Sequence, residues 1–314
     1  MDEHVLVLVA SHLCYESQCG FLFECLKSLL RQTHRNIRVC ASVSFEAEQY
    51  RAEFERVVQD RLPTVRFTLH GTQKYQLEHL QCLTHEHLAD GHGYKWVFFC
   101  DDDDTYHPRR VEGILNAALQ TSEHYPTELF YGVKEAGATS RSDECGLGIN
   151  LRSEFWAFTI RPDVLIRFFQ IMDGFDRVFL CNRFSDMILR EYLCVYRKGN
   201  SKIAQFCSCK KCMGMHLYNY RDHDMSVTKR DPFVLFTDPA GERDMFASPD
   251  NMSFLILKCM PMVLHVATDM EIRPTLPSDV ERWRLICEKM SDPSDSTGTF
   301  LREMTDFLRI FAEL

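Results

Sequence analysis

Apolar residues in the first hundred positions fall into two alternating patterns. Residues 5–10 (VLVLVA), 37–43 (IRVCASV), 65–69 (VRFTL) and 96–100 (WVFFC) are short apolar runs rich in β-branched or aromatic side chains. Runs of this kind suit strands covered on both faces. Between them, residues 21–30 (FLFECLKSLL), 47–59 and 75–88 carry apolar side chains at helical spacing. The alternation predicts an α/β fold, a mostly parallel mixed sheet flanked by helices with right-handed crossovers. Further strands are predicted at 129–134 and 155–160. Helices are predicted at 109–120, at 164–172 after the start signal of Pro162, and at 184–192. Residues 135–148 are polar and contain Gly and Ser, so they read as a loop.

Beyond about residue 230 the pattern changes to Pro-containing loops, an apolar stretch at 254–266 and two amphipathic helices. In the last helix, 299–311, Phe300, Met304, Phe307, Leu308 and Phe311 share one face, as docking onto other helices requires. The expected organisation is a catalytic domain at 1–230 and a mainly helical C-terminal extension at 231–314 packed on it.

The net charge of −9, from 45 acidic and 36 basic residues, argues against nucleic acid as partner, because phosphate backbones need clustered bases. The apolar run from Val5 is too short for a bilayer, follows two acids and lacks a small-residue cleavage site. A soluble cytoplasmic protein with no signal peptide and no transmembrane segment is therefore expected. In that setting the 14 cysteines read as reduced thiols.

The chemistry gathers in FFCDDDDTYHP, residues 98–108. Four aspartates follow a strand whose carboxyl end should open on the ligand crevice of a parallel sheet. Asp101 and Asp103, two apart in an extended segment, are expected to project to one side. Paired hard carboxylates suit Mg²⁺ or Mn²⁺ with positions left for phosphate oxygens. The plainer alternative is a solvated acidic turn.

Residues 101–108 (DDDDTYHP) resemble the DxDD-x-x-x-P signature of GT-A-fold glycosyltransferases, particularly family 2. Residues 25–36 (CLKSLLRQTHRN) resemble that family's SLLxQT helix end. Ser185-Asp186 resembles its Glu-Asp motif, with Ser in place of Glu, and residues 220–228 (YRDHDMSVT) resemble its YRxHxxSxT element. The four occur in the family's order across roughly residues 5–228, and the compactness is similar to that of small glycosyltransferases of large DNA viruses.

The resemblance implies a GT-A, Rossmann-like sheet and a nucleotide-sugar donor (UDP-, GDP- or dTDP-sugar). It implies Mn²⁺ or Mg²⁺ held by Asp103, Asp101 and His223, and Asp186 as general base of an inverting hexosyl or pentosyl transfer. Ser11, His12, Ser44, Lys74, Asp101 and Asp102 would line the donor, and Trp156 the acceptor, a hydroxyl of a glycan or a glycoprotein-linked sugar. For Asp186 the alternative role is a carboxylate at a helix N-terminus; for Trp156 it is core packing.

A different metal–nucleotide enzyme would be expected to carry a Gly-rich phosphate loop after the first strand, where residues 11–15 (SHLCY) have no glycine. Cys207, Cys209, Cys212 and His216 have the donor types of a zinc site, although not the usual paired spacing. A nucleotide-sugar-binding or zinc-stabilised interaction protein without turnover is thus the alternative function.

Overall fold

The four apolar runs become one side of a seven-stranded sheet whose strands lie in the order 66–70, 37–45, 5–13, 96–101, 158–160, 130–136 and 202–207. A computed structural model describes residues 3–89, 93–124, 130–136, 139–140, 154–175, 177–181, 185–196, 202–207, 217–221, 223–224, 256, 259–260, 262–263 and 277–312. The expected strands are β1 (Val5–Leu13), β2 (Ile37–Phe45), β3 (Arg66–His70), β4 (Trp96–Asp101), β6 (Phe130–Ala136) and β8 (Phe158–Ile160). β9 (Lys202–Cys207) completes the sheet. Every pairing is parallel except those of β8, which runs antiparallel to both β4 and β6. This is the mixed, mostly parallel α/β sheet expected of the GT-A class.

Helices α1 (Gln18–Leu30), α2 (Glu48–Phe54), α3 (Gln76–Leu88), α4 (Arg110–Ser122) and α5 (Pro162–Met172) flank it. Burial on both faces explains the unbroken apolar runs. Val5 through Val9 and Val97 through Phe98 have no exposed surface, each large side chain contributing about 1.5–3 kcal/mol.

Besides β9, which the sequence pattern did not predict, three features differ from it. The helix expected at 47–59 is α2 followed by a π-helical turn, Glu55–Gln59. The strand expected at 155–160 begins as a 3₁₀ turn, Phe155–Ala157, and only its second half pairs. A second small sheet, β5 (Thr105–Tyr106), β10 (Tyr218–Tyr220) and β7 (Thr139–Ser140), was not anticipated. Its strands are too short for period-two alternation to register.

By internal contacts the chain divides into two compact units, Met1–Gly174 with Asn200–Asp222, and Phe175–Gly199 with His223–Leu314. The second unit contains α6 (Arg177–Leu180), α7 (Ser185–Tyr196), α8 (Pro277–Ser291) and α9 (Ser296–Ala312). Four residues of the expected α9 face, Phe300, Met304, Phe307 and Leu308, are buried. Phe179 stacks on Phe300 and Phe307 at 5.6 and 4.9 Å. The α8–α9 hairpin depends on Gly298, where a Cβ would sit 2.0 Å from the Lys289 carbonyl oxygen. The side chain of Phe311, most of 135–148 and 254–266, and the side chain of Cys207 with all of Cys209, Cys212 and His216 lie outside the described residues.

Gln32, in the SLLxQT segment, ties the first unit together. Its side chain is 2% exposed. The amide nitrogen donates to the carbonyls of Ser28 and His107 at 3.2 and 3.0 Å, and the amide oxygen accepts from Val111 N–H at 3.1 Å. Thr33 N–H donates to the Pro108 carbonyl at 2.8 Å. The end of α1 is thereby fastened to the His-Pro step that leads into α4. Gln32→Leu, similar in size but unable to hydrogen-bond, should lower the unfolding free energy by about 1–3 kcal/mol. Urea denaturation reads this as a lower midpoint at unchanged slope; an unchanged midpoint would refute the fastening role.

Candidate active site

Strand β4 stops at Asp101, whose register partner is Ala10 in β1. There Asp104 N–H donates to the Asp101 carbonyl at 3.2 Å, closing a four-residue turn with Asp102 and Asp103 at its corners. The extended segment expected through Asp103 is thus replaced by a turn. Asp101 and Asp103 are related by the turn and not by strand alternation, because the chain leaves the sheet one residue after its last pairing.

The carboxylates are held differently. Asp102 Oδ2 accepts from the Ser11 hydroxyl at 2.5 Å and from the Gln18 amide at 3.3 Å. Asp104 is 1% exposed; its oxygens accept from the Tyr218 hydroxyl and from Arg221 N–H, both at 2.6 Å. Asp101 Oδ1 accepts from the Gln76 amide at 3.1 Å. Asp103 is half-buried.

Burial, followed by the neighbouring carboxylates, pushes Asp101 and Asp104 well above the usual carboxylate range. Burial and Asp103 push Asp102 up to about 7, and Glu154 adds to the field on Asp101. The turn gathers four carboxyl groups, three of them with raised pKa, at one strand end. Arg221, beside it, is paired with Glu24 and lies over the Phe21 ring at 4.3 Å.

Among the described residues no three His, Cys, Asp or Glu side chains form a ready-made cation cage. A divalent ion of the Mg²⁺ type needs no such cage, since one or two carboxylates plus substrate phosphates and water suffice. Hard oxygen donors that raise one another's pKa fit such an ion.

Beside the turn, the ends of β1, β2 and β3 align His12 with Ser44 and Ser44 with His70 in parallel register. Ser11 and His12, expected just after the first strand, are inside it, because pairing with β2 continues to Leu13↔Phe45. A polar chain crosses these ends. Glu46 Oε2 meets His12 Nε2 at 3.1 Å, and His12 Nδ1 meets Ser44 Oγ at 2.9 Å. Ser44 Oγ meets His79 Nε2 at 3.1 Å, and Ser42 Oγ meets His79 Nδ1 at 2.8 Å and His70 Nε2 at 2.7 Å. His79, held neutral, has one donor and one acceptor nitrogen, so its tautomer decides which of Ser42 and Ser44 donates to it. Lys74 joins through its backbone N–H, which donates to Ser44 Oγ at 3.3 Å.

The remaining expected residues lie elsewhere. Trp156 is fully buried, its ring stacked on Tyr218 at 4.1 Å and 12°. As placed, it packs beneath the aspartate turn and presents no face to an acceptor, the core alternative of its sequence reading. Asp186 lies in the first turn of α7, half-buried, with Oδ1 accepting from Met187 N–H at 2.9 Å. His223, also half-buried, belongs with Asp186 to the second compact unit.

Gln18, Gln76, His70, His79 and Tyr218 were not singled out by the sequence. Each sits on a helix or a short strand, and only tertiary packing brings Gln18, Gln76 and Tyr218 to the turn and His70 and His79 to the polar chain. The one available signal was Tyr218, two residues before the 220–228 motif.

Burial, then the charges of His70, His12 and Lys74, lowers the pKa of His79 to about 3. An unfolded histidine titrates near 6.5. As pH falls through that value the unfolded chain gains a proton that the native one refuses until about 3. The stability due to neutral His79 is therefore present above the unfolded pKa and lost below it, by up to about 1.4 kcal/mol per pH unit. Urea denaturation at stepped pH should show a smaller loss between pH 6 and 4 for His79→Gln than for wild type. Parallel pH profiles would refute the assignment.

No family model and no curated protein matches the sequence. Among solved structures the chain is similar to TarS of S. aureus (residues 1–349) in complex with UDP. The identity is 10% and the TM-score 0.47, covering 99% of this chain and 90% of that one. It is similar to the UDP-GlcNAc complex of the same protein at 10% identity and a TM-score of 0.46, with the same coverage. A further TarS structure, of which 55% is covered together with 99% of this chain, gives 11% and 0.42.

Proposed function

We propose that the chain is a metal-dependent glycosyltransferase that moves a sugar from a nucleotide-sugar donor to a hydroxyl of a glycan or other acceptor. One observation carries the reading: the DxDD-type segment forms a strained-charge turn at the carboxyl end of β4, beside the ends of β1 and β2. Ligands of parallel α/β sheets bind at that edge. Asp101 and Asp103 would hold Mn²⁺ or Mg²⁺. The ion supplies electrostatic stabilisation of the departing diphosphate.

In this reading Ser11 and Gln18 keep Asp102 turned toward α1, where it shapes the donor side of the turn. Lys74 would meet the donor, while His12 and Ser44, whose polar atoms are taken by Glu46, His79 and each other, shape that edge from within. Asp186 takes the proton of the acceptor hydroxyl as its oxygen bonds to the anomeric carbon and the bond to the diphosphate breaks. That single displacement inverts configuration and forms no glycosyl-enzyme intermediate. Trp156 is given no contact with the acceptor.

Thermal-shift titration with UDP-, GDP- and dTDP-sugars, each with and without Mn²⁺, should show one nucleotide class stabilising the protein, more strongly with metal. Asp103→Ala should abolish nucleotide release while circular dichroism stays unchanged; full activity in that variant refutes the reading. Asp186→Asn should lower kcat by about 10²–10⁴-fold, with little change in donor KM. Stabilisation without any nucleotide release would mark the chain as a binding protein.

A further inference from the structure

The structure assigns Tyr218 the role of a positioning residue that clamps the aspartate turn and decides which of its carboxylates face a ligand. This inference rests on the metal reading above. The Tyr218 hydroxyl donates to Asp104 Oδ2 at 2.6 Å and accepts from Asp101 N–H at 3.3 Å. One oxygen thus bridges the first and last residues of the turn. With Arg221 N–H on the other oxygen, both oxygens of Asp104 are engaged by the protein.

The hydroxyl is fixed because the ring is. Tyr218 is fully buried, stacked on Trp156 at 4.1 Å, with the Arg110 guanidinium 5.0 Å from its centroid. Arg110 is itself pinned. It pairs with Glu135 at 2.5 Å, donates to the Trp156 carbonyl at 2.7 Å and lies 4.0 Å over the Tyr106 ring. Arg110 and Glu135 are each 1% exposed, so turning the Tyr218 ring would disturb a buried ion pair. Tyr106 has its hydroxyl on the Phe99 carbonyl at 2.6 Å, away from the turn.

Removing the Tyr218 hydroxyl would release the Asp104 carboxylate and the Asp101 backbone together. Asp101 and Asp103 would lose the fixed spacing on which ion binding depends. Partners that orient ligating groups typically change metal affinity by about 10–100-fold.

The test is Mn²⁺ binding, read from the electron paramagnetic resonance of free Mn²⁺, with the protein alone and with UDP, GDP or dTDP added, each against a nucleotide-only control. Wild type, Tyr218→Phe, Tyr106→Phe and Asp103→Ala are compared at a temperature where all are folded. Tyr218→Phe should bind about tenfold or more weakly. Tyr106→Phe, which loses a buried hydroxyl from the same stack, should melt lower yet keep wild-type affinity. Asp103→Ala should lose binding.

If Asp103→Ala loses Mn²⁺ but Tyr218→Phe keeps wild-type affinity, the clamp is overturned and the metal reading survives. If wild type binds no Mn²⁺, or Asp103→Ala binds it unchanged, the metal reading falls and the clamp with it. Equal weakening in Tyr106→Phe and Tyr218→Phe would reduce Tyr218 to a packing residue and overturn the role. Should Tyr218→Phe fail to fold, Asp104→Ala removes the same contact from the other side, and unchanged affinity there overturns the clamp.

Discussion

Desolvated like charge at the end of β4 is the constraint on which the site depends. Four consecutive aspartates leave a strand that is buried on both faces, and water reaches them only in part. Burying an unpaired carboxylate is costly, so each must find donors or a cation. Asp102 takes its donors from β1 and α1, Asp104 from β10 and the residue after it, and Asp101 from α3. Elements far apart in sequence are thereby drawn to one point, and their packing follows from serving that turn.

The neighbouring histidine–serine chain is governed by the same physics with the opposite sign. Burial raises the pKa of an aspartate and lowers that of a histidine, since the charged form is penalised in both. The carboxyl edge of the sheet therefore favours protonated acids and neutral imidazoles at once. Neutral His79 passes a hydrogen bond in one direction between Ser42 and Ser44, and Glu46 ends the chain at its exposed side. The polar edge is ordered although much of it lies beneath the surface.

Beneath the turn, packing and electrostatics are inseparable. The stack of Trp156, Tyr218, Arg110 and Tyr106 surrounds a buried ion pair with aromatic faces. Breaking such a pair costs far more than forming it contributes, so its value is in fixing geometry. Gln32 fulfils a related need with a neutral side chain by satisfying three backbone groups where α1, the His-Pro step and α4 meet. The motif residue is structural here, joining the end of α1 to the segment that follows the aspartate turn.

The sheet and the central helices were legible in the sequence because runs buried on both faces and helical apolar spacing are local signals. β1, β2, β4, α3 and α5 appear where the pattern puts them. The aspartate cluster was legible too, since it interrupts an apolar run abruptly. The bend that separates Asp101 from Asp103 was not, because a hydrogen bond from Asp104 to Asp101 competes with strand continuation and wins at the sheet edge. β5, β9 and β10 escaped notice since their pairing is with distant segments, and Trp156 as an acceptor surface was displaced by its stacking on one of them. The sequence by itself determined the α/β alternation and where charge is concentrated. Only the tertiary structure decided which carboxylate is held by which donor, because those donors come from α1, α3 and β10, and hydrogen bonding between elements distant in the chain leaves no periodic trace in it.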